Sequence, residues 1–190
     1  MSTIAKKERK TDVIIVAGPA ACGKTTIADY LSKSLGFTYI EGDDLHPQAN
    51  IDKMAQGHAL TDEDRWGWLE KIGIVTARTA SSEDVHGIVV TCSALKRKYR
   101  DRLRSELANK NIVLWFVFLH ASKETLTKRI KARVGHFMKA EMITSQLNTL
   151  EPPNDSEPDA CTINVEGTMT QAQHDCLAQV QKLLDKENQE

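Results

Sequence analysis

A chain of 190 residues, 41% hydrophobic and 27% charged, suits one packed α/β domain and is too apolar for wholesale disorder. Its 25 Lys and Arg against 26 Asp and Glu leave a net charge of −1, which gives no general footprint for nucleic acid or an anionic membrane. Cys22, Cys92, Cys161 and Cys176 are widely spaced, with no Cys-x-x-Cys pair and no His cluster, so a reducing compartment is expected rather than a zinc site or a disulfide framework.

Residues 1–11 are polar and charged and read as a flexible tail ahead of a single domain over 12–190. No run approaches the roughly 18 apolar residues of a membrane span, so a cytoplasmic protein is expected. Apolar, β-branched runs at Val13–Ala17, Phe37–Ile40, Gly87–Thr91 and Ile112–Leu119, with a weaker one at Cys161–Val165, predict strands. The first, third and fourth are nearly continuous, the pattern of strands buried on both faces of a parallel sheet. Helical patterns fall at Thr25–Ser34, Thr61–Ala80, Leu95–Leu107, Lys123–Arg133, Ala140–Leu150 and Thr170–Leu184. This alternation predicts a three-layer α/β/α sandwich. Residues 151–158, rich in Pro and acids, read as a surface loop.

Between the first strand and first helix stands Gly18-Pro19-Ala20-Ala21-Cys22-Gly23-Lys24-Thr25, a match to G-x-x-x-x-G-K-[ST]. The glycines let successive N–H groups turn inward on a phosphate, and the helix adds its positive end. Gly18 to Thr26 are therefore the expected ATP contacts. Lys24 is the mobile charge for the β- and γ-phosphates, and the Thr25 hydroxyl is a Mg²⁺ ligand. A GTPase would need an acid where Asn109-Lys110-Asn111-Ile112 has none, and Cys92-Ser93-Ala94 follows the third strand where a motor ATPase would carry an acid. Small-molecule kinases remain.

The second strand runs into Glu41-Gly42-Asp43-Asp44. Ligands sit beyond the carboxyl ends of such strands, so this cluster should face the phosphate loop. Alternation along an extended segment puts Glu41 and Asp43 on one side. Asp43 is the expected acceptor of the hydroxyl proton, Glu41 orients Mg²⁺ through water, and Asp44 reads as a cap for the next helix. Downstream, Thr61 and Asp64 form a helix-start pattern that places Arg65 one turn inside, suited to a carboxylate, with Lys53 on a short preceding helix as a second cation. An Asp–Arg surface pair is equally compatible with the spacing. Trp66 and Trp68 are two apart, so one is expected in the core.

The basic stretch Lys96–Arg104 follows the third strand; Ser93 and Lys96 are placed to touch the acceptor, and the remainder reads as a solvated face. Arg129 and Arg133 share a helix face ahead of Gly135 and could neutralise charge on the transferring group; an exposed basic helix end fits the same spacing.

Taken together, the phosphate loop, Glu41-Gly42-Asp43-Asp44-Leu45-His46-Pro47, Asn50-x-x-Lys53-Met54, Asp62-x-Asp64-Arg65-x-x-Trp68-Leu69, Cys92–Arg104, Gly135-His136-Phe137-Met138 and Ser145-Gln146-Leu147 resemble the gluconokinases, P-loop small-molecule kinases, over about four-fifths of the chain. The resemblance implies ATP:D-gluconate phosphotransfer with Mg²⁺, a five-stranded parallel sheet of adenylate- or shikimate-kinase type, a mobile lid over about 128–140, and often a homodimer. It also implies lid arginines at Arg129 and Arg133, and acceptor contacts from Asp43, His46, Lys53, Arg65, Ser93, Lys96, His136 and Gln146. Glu41 stands where Asp is common in the family, and His58-Ala59 where x-Pro is usual. A shikimate- or nucleotide-type kinase, or a non-catalytic regulator that binds ATP or nucleic acid, are the alternatives.

Overall fold

A computed structural model of the chain describes residues 10–108, 110–132 and 140–187. Five parallel strands, β1 (Thr11–Ala17), β2 (Thr38–Ile40), β3 (Gly87–Thr91), β4 (Ile112–His120) and β5 (Ala160–Asn164), form one sheet in the order β2-β3-β1-β4-β5. The helices are α1 (Lys24–Leu35), α2 (Gln48–Ala55), α3 (Asp62–Ala80), α4 (Arg97–Leu107), α5 (Lys123–Ala132), α6 (Ala140–Asn148) and α7 (Met169–Glu187).

The pleat explains why the central strands are apolar throughout. Ile14 and Val16 of β1 point to one face, where they meet Ile27 and Leu31 of α1 and Cys176 and Val180 of α7. Val13 and Ile15 point to the other, against Leu69 and Ile72 of α3 and Tyr99 and Leu103 of α4. All four β1 side chains are fully buried, and each contributes on the order of 1.5–3 kcal/mol. The register, with Ile14 opposite both Val89 and Trp115, aligns the carboxyl ends of β1 and β3. The phosphate loop leaves the first of these ends, and the second abuts the turn that follows β2.

Two loops depart from the sequence reading. Residues 42–45 form a 3-10 turn rather than an extended segment, with Glu41 as its N-cap accepting from the Asp43 N–H. Alternation along a strand therefore does not explain the placement of Glu41 and Asp43. Nor does Asp44 cap α2, whose N-cap is Pro47 without any side-chain cap. In addition, the basic stretch of α4 is not simply a solvated face. Arg100 is wholly buried and paired with Glu157, Nη2 to Oε1 at 2.6 Å, and Arg104 reaches Asp159 at 2.7 Å. The loop at 151–158 is thus anchored from beneath by Glu157, which is 3% exposed.

Candidate active site

The phosphate loop is shaped by backbone requirements. Gly18 adopts φ +133°, and a Cβ there would lie 2.6 Å from the Leu119 carbonyl oxygen, so both conformation and space demand glycine. Its N–H donates to the Ser93 carbonyl, tying the loop to the β3 exit. Ala21 also takes positive φ, at 64°, and Gly23 at 100° opens α1. Lys24 lies back along the loop, Nζ donating to the Pro19 carbonyl at 3.0 Å. That carbonyl is a contact phosphate oxygens can replace. Burial pushes the Cys22 thiol up, so it is no nucleophile.

Directly beside the loop is the acidic turn. Gly42 packs so tightly on β3 that a Cβ would fall 1.9 Å from the Thr91 carbonyl oxygen; its own N–H donates to Thr91 Oγ1 at 3.0 Å. This contact draws Glu41 toward α1. The Thr25 hydroxyl donates to Glu41 Oε2 at 2.9 Å, Tyr39 donates to the same oxygen at 2.6 Å, and the Thr91 hydroxyl donates to Oε1. Burial favours the neutral acid, but these donors, Thr91 foremost, outweigh it and hold the Glu41 carboxyl below its ordinary range. An ionised carboxylate beside a hydroxyl is the hard oxygen pair that Mg²⁺ takes when phosphates and waters complete its shell. Among the described residues no cluster of three or more His, Cys, Asp or Glu could hold a metal by itself.

Asp43 projects into the cleft. Its side chain is 68% exposed, yet the surrounding walls strip enough water to raise its carboxyl pKa, with Glu41 and Asp44 adding and Lys24 opposing. Beneath it, His46 is 9% exposed and stacks on Trp68, ring centroids 4.0 Å apart. Burial, assisted by the Arg65 charge, lowers its pKa to about 4, so the imidazole is neutral at pH 7. Trp68 is the core tryptophan of the two, and Trp66 packs edge-on against Tyr99.

The cations expected to meet the acceptor are mostly occupied. Lys53 pairs with Asp64 at 2.6 Å, and Asp64 also closes a capping box with Thr61 at the start of α3. Lys96 pairs with Asp62 at 2.9 Å, a carboxylate that also receives Lys98 and the Tyr99 hydroxyl. These donors hold both carboxyls low, that of Asp64 at about 2. Arg65 differs. Its guanidinium donates to the carbonyls of Leu60 and Thr61 and lies over the Tyr99 ring, with no carboxylate partner among the described residues. The Asp–Arg surface pair that the spacing allows is therefore not formed among the described residues; Lys53 takes Asp64, and Lys96 and Lys98 take Asp62.

Two further positions lie near the phosphate loop. Gln146, expected on the acceptor side, accepts from the Ala20 N–H at 2.8 Å and so touches the phosphate loop. Arg129 donates to the carbonyls of Val165 and Gly167, at the loop after β5, and its charge reaches Cys22 of the phosphate loop. Arg133 and His136, with most of the expected lid, lie outside the described residues. Sequence reasoning missed Tyr39, Thr91 and Asn50. The first two carry no signal beyond a hydroxyl near a strand end; Asn50 had one, since it falls one helical turn after His46.

The model of one family, the AAA domain, matches residues 13–153. A relative from Schizosaccharomyces pombe described as a probable gluconokinase is 52% identical over 177 residues, covering 93% of this chain and 92% of that protein. The gluconokinase of Gluconobacter oxydans is 43% identical, covering 78% of this chain and 80% of its own. The crystal structure of a gluconokinase from Sinorhizobium meliloti superposes with a TM-score of 0.81 at 38% identity, over 95% of this chain and 98% of that one.

Proposed function

The chain belongs to the gluconokinase family, and we propose that it transfers the γ-phosphoryl group of ATP to the terminal hydroxyl of D-gluconate across the cleft between the Gly18–Thr25 loop and the Gly42–Leu45 turn. The observation that carries this reading is the direct bond between the two sides, Thr25 hydroxyl to Glu41 carboxylate at 2.9 Å. It brings the phosphate site and the acidic turn into one reaction volume.

Inward N–H groups and the α1 terminus bind the phosphates, and Lys24 exchanges its Pro19 carbonyl for phosphate oxygens. Thr25, and Glu41 through water, would hold Mg²⁺, which would supply charge neutralisation at the phosphates. Asp43 accepts the proton of the attacking hydroxyl; its raised pKa makes it a better base than an ordinary aspartate. Arg65, without a carboxylate partner among the described residues, takes the gluconate carboxylate. Lys53 and Lys96 act through Asp64 and Asp62, shaping the pocket that presents Arg65 and Tyr99. Most of the catalytic effect is positioning and charge neutralisation.

No helix among the described residues is long and apolar enough to cross a membrane. A cytoplasmic homodimer fits the family likeness, and sedimentation of the purified protein tests the dimer. The activity is tested by ADP release on adding gluconate, shikimate or nucleoside monophosphates. Stimulation by gluconate is expected; stimulation by shikimate or a nucleotide instead would overturn the acceptor assignment.

A further inference from the structure

Beneath the acceptor turn lies a buried polar contact that none of these steps uses. Asn50, in the first turn of α2, is 4% exposed. Its carboxamide nitrogen lies 2.8 Å from the Asp64 carbonyl oxygen and 3.3 Å from Nδ1 of His46. A carbonyl oxygen only accepts, so the end of the amide that faces it is the NH₂ group. One N–H serves Asp64, and the other is directed at the imidazole. A hydrogen on Nδ1 would oppose that N–H; Nδ1 therefore holds the lone pair, and the ring proton sits on Nε2. The ring is fixed in place by its stack on Trp68, at an interplanar angle of 12°, and Trp68 is itself fastened through Nε1 to the Gly42 carbonyl at 2.7 Å. Nε2 lies 4.0 Å from Oδ1 of Asp43.

We propose that Asn50 is a positioning residue for phosphoryl transfer, holding His46 as the neutral Nε2–H tautomer so that the ring offers a hydrogen-bond donor to the acceptor hydroxyl beside Asp43. The proposal rests on the acceptor placement given above and adds a second constraint on that hydroxyl. A hydroxyl has one hydrogen and two lone pairs. In the transfer its proton passes to the Asp43 carboxylate, and one lone pair forms the new O–P bond. The bond from phosphorus to the β–γ bridging oxygen breaks, and ADP leaves with that electron pair. The second lone pair accepts from Nε2–H, which fixes the direction of attack. In the other tautomer Nε2 would present a lone pair and compete with Asp43 for the only hydrogen. The groups facing the ring are Asp43 from the turn, Asn50 from α2, and Arg65 and Trp68 from α3.

The test is the imidazole nitrogen spectrum of the full chain labelled with ¹⁵N-histidine, with the His46 signals assigned by their loss in His46→Gln. At pH 7 the wild-type ring is expected to be neutral with its proton on Nε2. In Asn50→Asp the new carboxylate accepts from Nδ1, so the proton should move there or a second one be gained. Turnover at saturating gluconate should then fall about tenfold or more, with the KM for ATP within about twofold of wild type. A wild-type ring protonated on Nδ1 or on both nitrogens would overturn the proposal, as would a moved proton with unchanged turnover. Should Asn50→Asp fail to fold, the wild-type spectrum decides alone. Absence of gluconate phosphorylation by the wild-type protein would instead refute the functional reading, whatever the tautomer.

Discussion

The two sides of the cleft are built by different means. The nucleotide side is made of backbone: positive-φ positions at Gly18, Ala21 and Gly23, and the start of α1. The acceptor side is made of side chains that constrain one another. Lys53 is held by Asp64, Lys96 by Asp62, and His46 by Asn50 and Trp68. On the proposed reading, the backbone nest serves the nucleotide phosphates, and the side-chain pairs leave the Arg65 guanidinium, without a carboxylate partner among the described residues, for the acid.

The largest effect should fall on the nucleotide side. Lys24→Ala is expected to lower kcat by about 10³-fold or more with the fold intact, since the Lys24 side chain bonds only within its own loop among the described residues. Steady-state kinetics with a thermal melt checks both parts. On the acceptor side, Asp43→Asn should lower kcat by roughly 10²–10³-fold and leave the KM for gluconate nearly unchanged. Because the Asp43 carboxyl is raised, wild-type kcat should fall as pH drops through a value above that of an ordinary aspartate, and this limb should vanish in Asp43→Asn.

Stability offers a comparison independent of catalysis. Removing one partner of the buried Arg100–Glu157 pair leaves an uncompensated charge, so Glu157→Gln should destabilise by about 3–5 kcal/mol in denaturant titration. Glu157 is held at about 2 by Arg100, below its ordinary value of 4.5. Its contribution is therefore fully present above about pH 4.5 and lost as pH falls toward 2. Arg65→Ala should mainly raise the KM for gluconate, by about 10–100-fold, the worth of a charged hydrogen bond. The smallest effect is expected from Gln146→Ala, a few-fold rise in the KM for ATP through the lost Ala20 contact, read from initial rates.

The same contrast separates what the sequence made legible from what it did not. Val13–Ala17 and Gly87–Thr91 were recognisable because a strand buried on both faces is apolar throughout. The Thr61–Asp64 capping box and the phosphate loop were recognisable because their interactions are local. The 3-10 turn was not: Gly42-Asp43-Asp44 fits an extended segment equally well until Gly42 is pressed against Thr91, far away in the chain. The pairing of Lys96 with Asp62 and the reach of Gln146 to Ala20 span 34 and 126 positions, and no periodicity encodes them. Spacing could show which residue types the site holds but not which of the cations remained available.

The central claim is that Asp43 and the phosphate loop face each other across a space that fits a sugar acid. A crystal structure with gluconate and a non-hydrolysable ATP analogue tests it most directly. The terminal hydroxyl should lie within hydrogen-bond reach of Asp43, about 2.6–3.2 Å, in line with the γ-phosphorus, and the gluconate carboxylate should rest on Arg65. A complex with Asp43 turned out of the cleft, or with the gluconate carboxylate placed against the phosphate loop, would contradict the account.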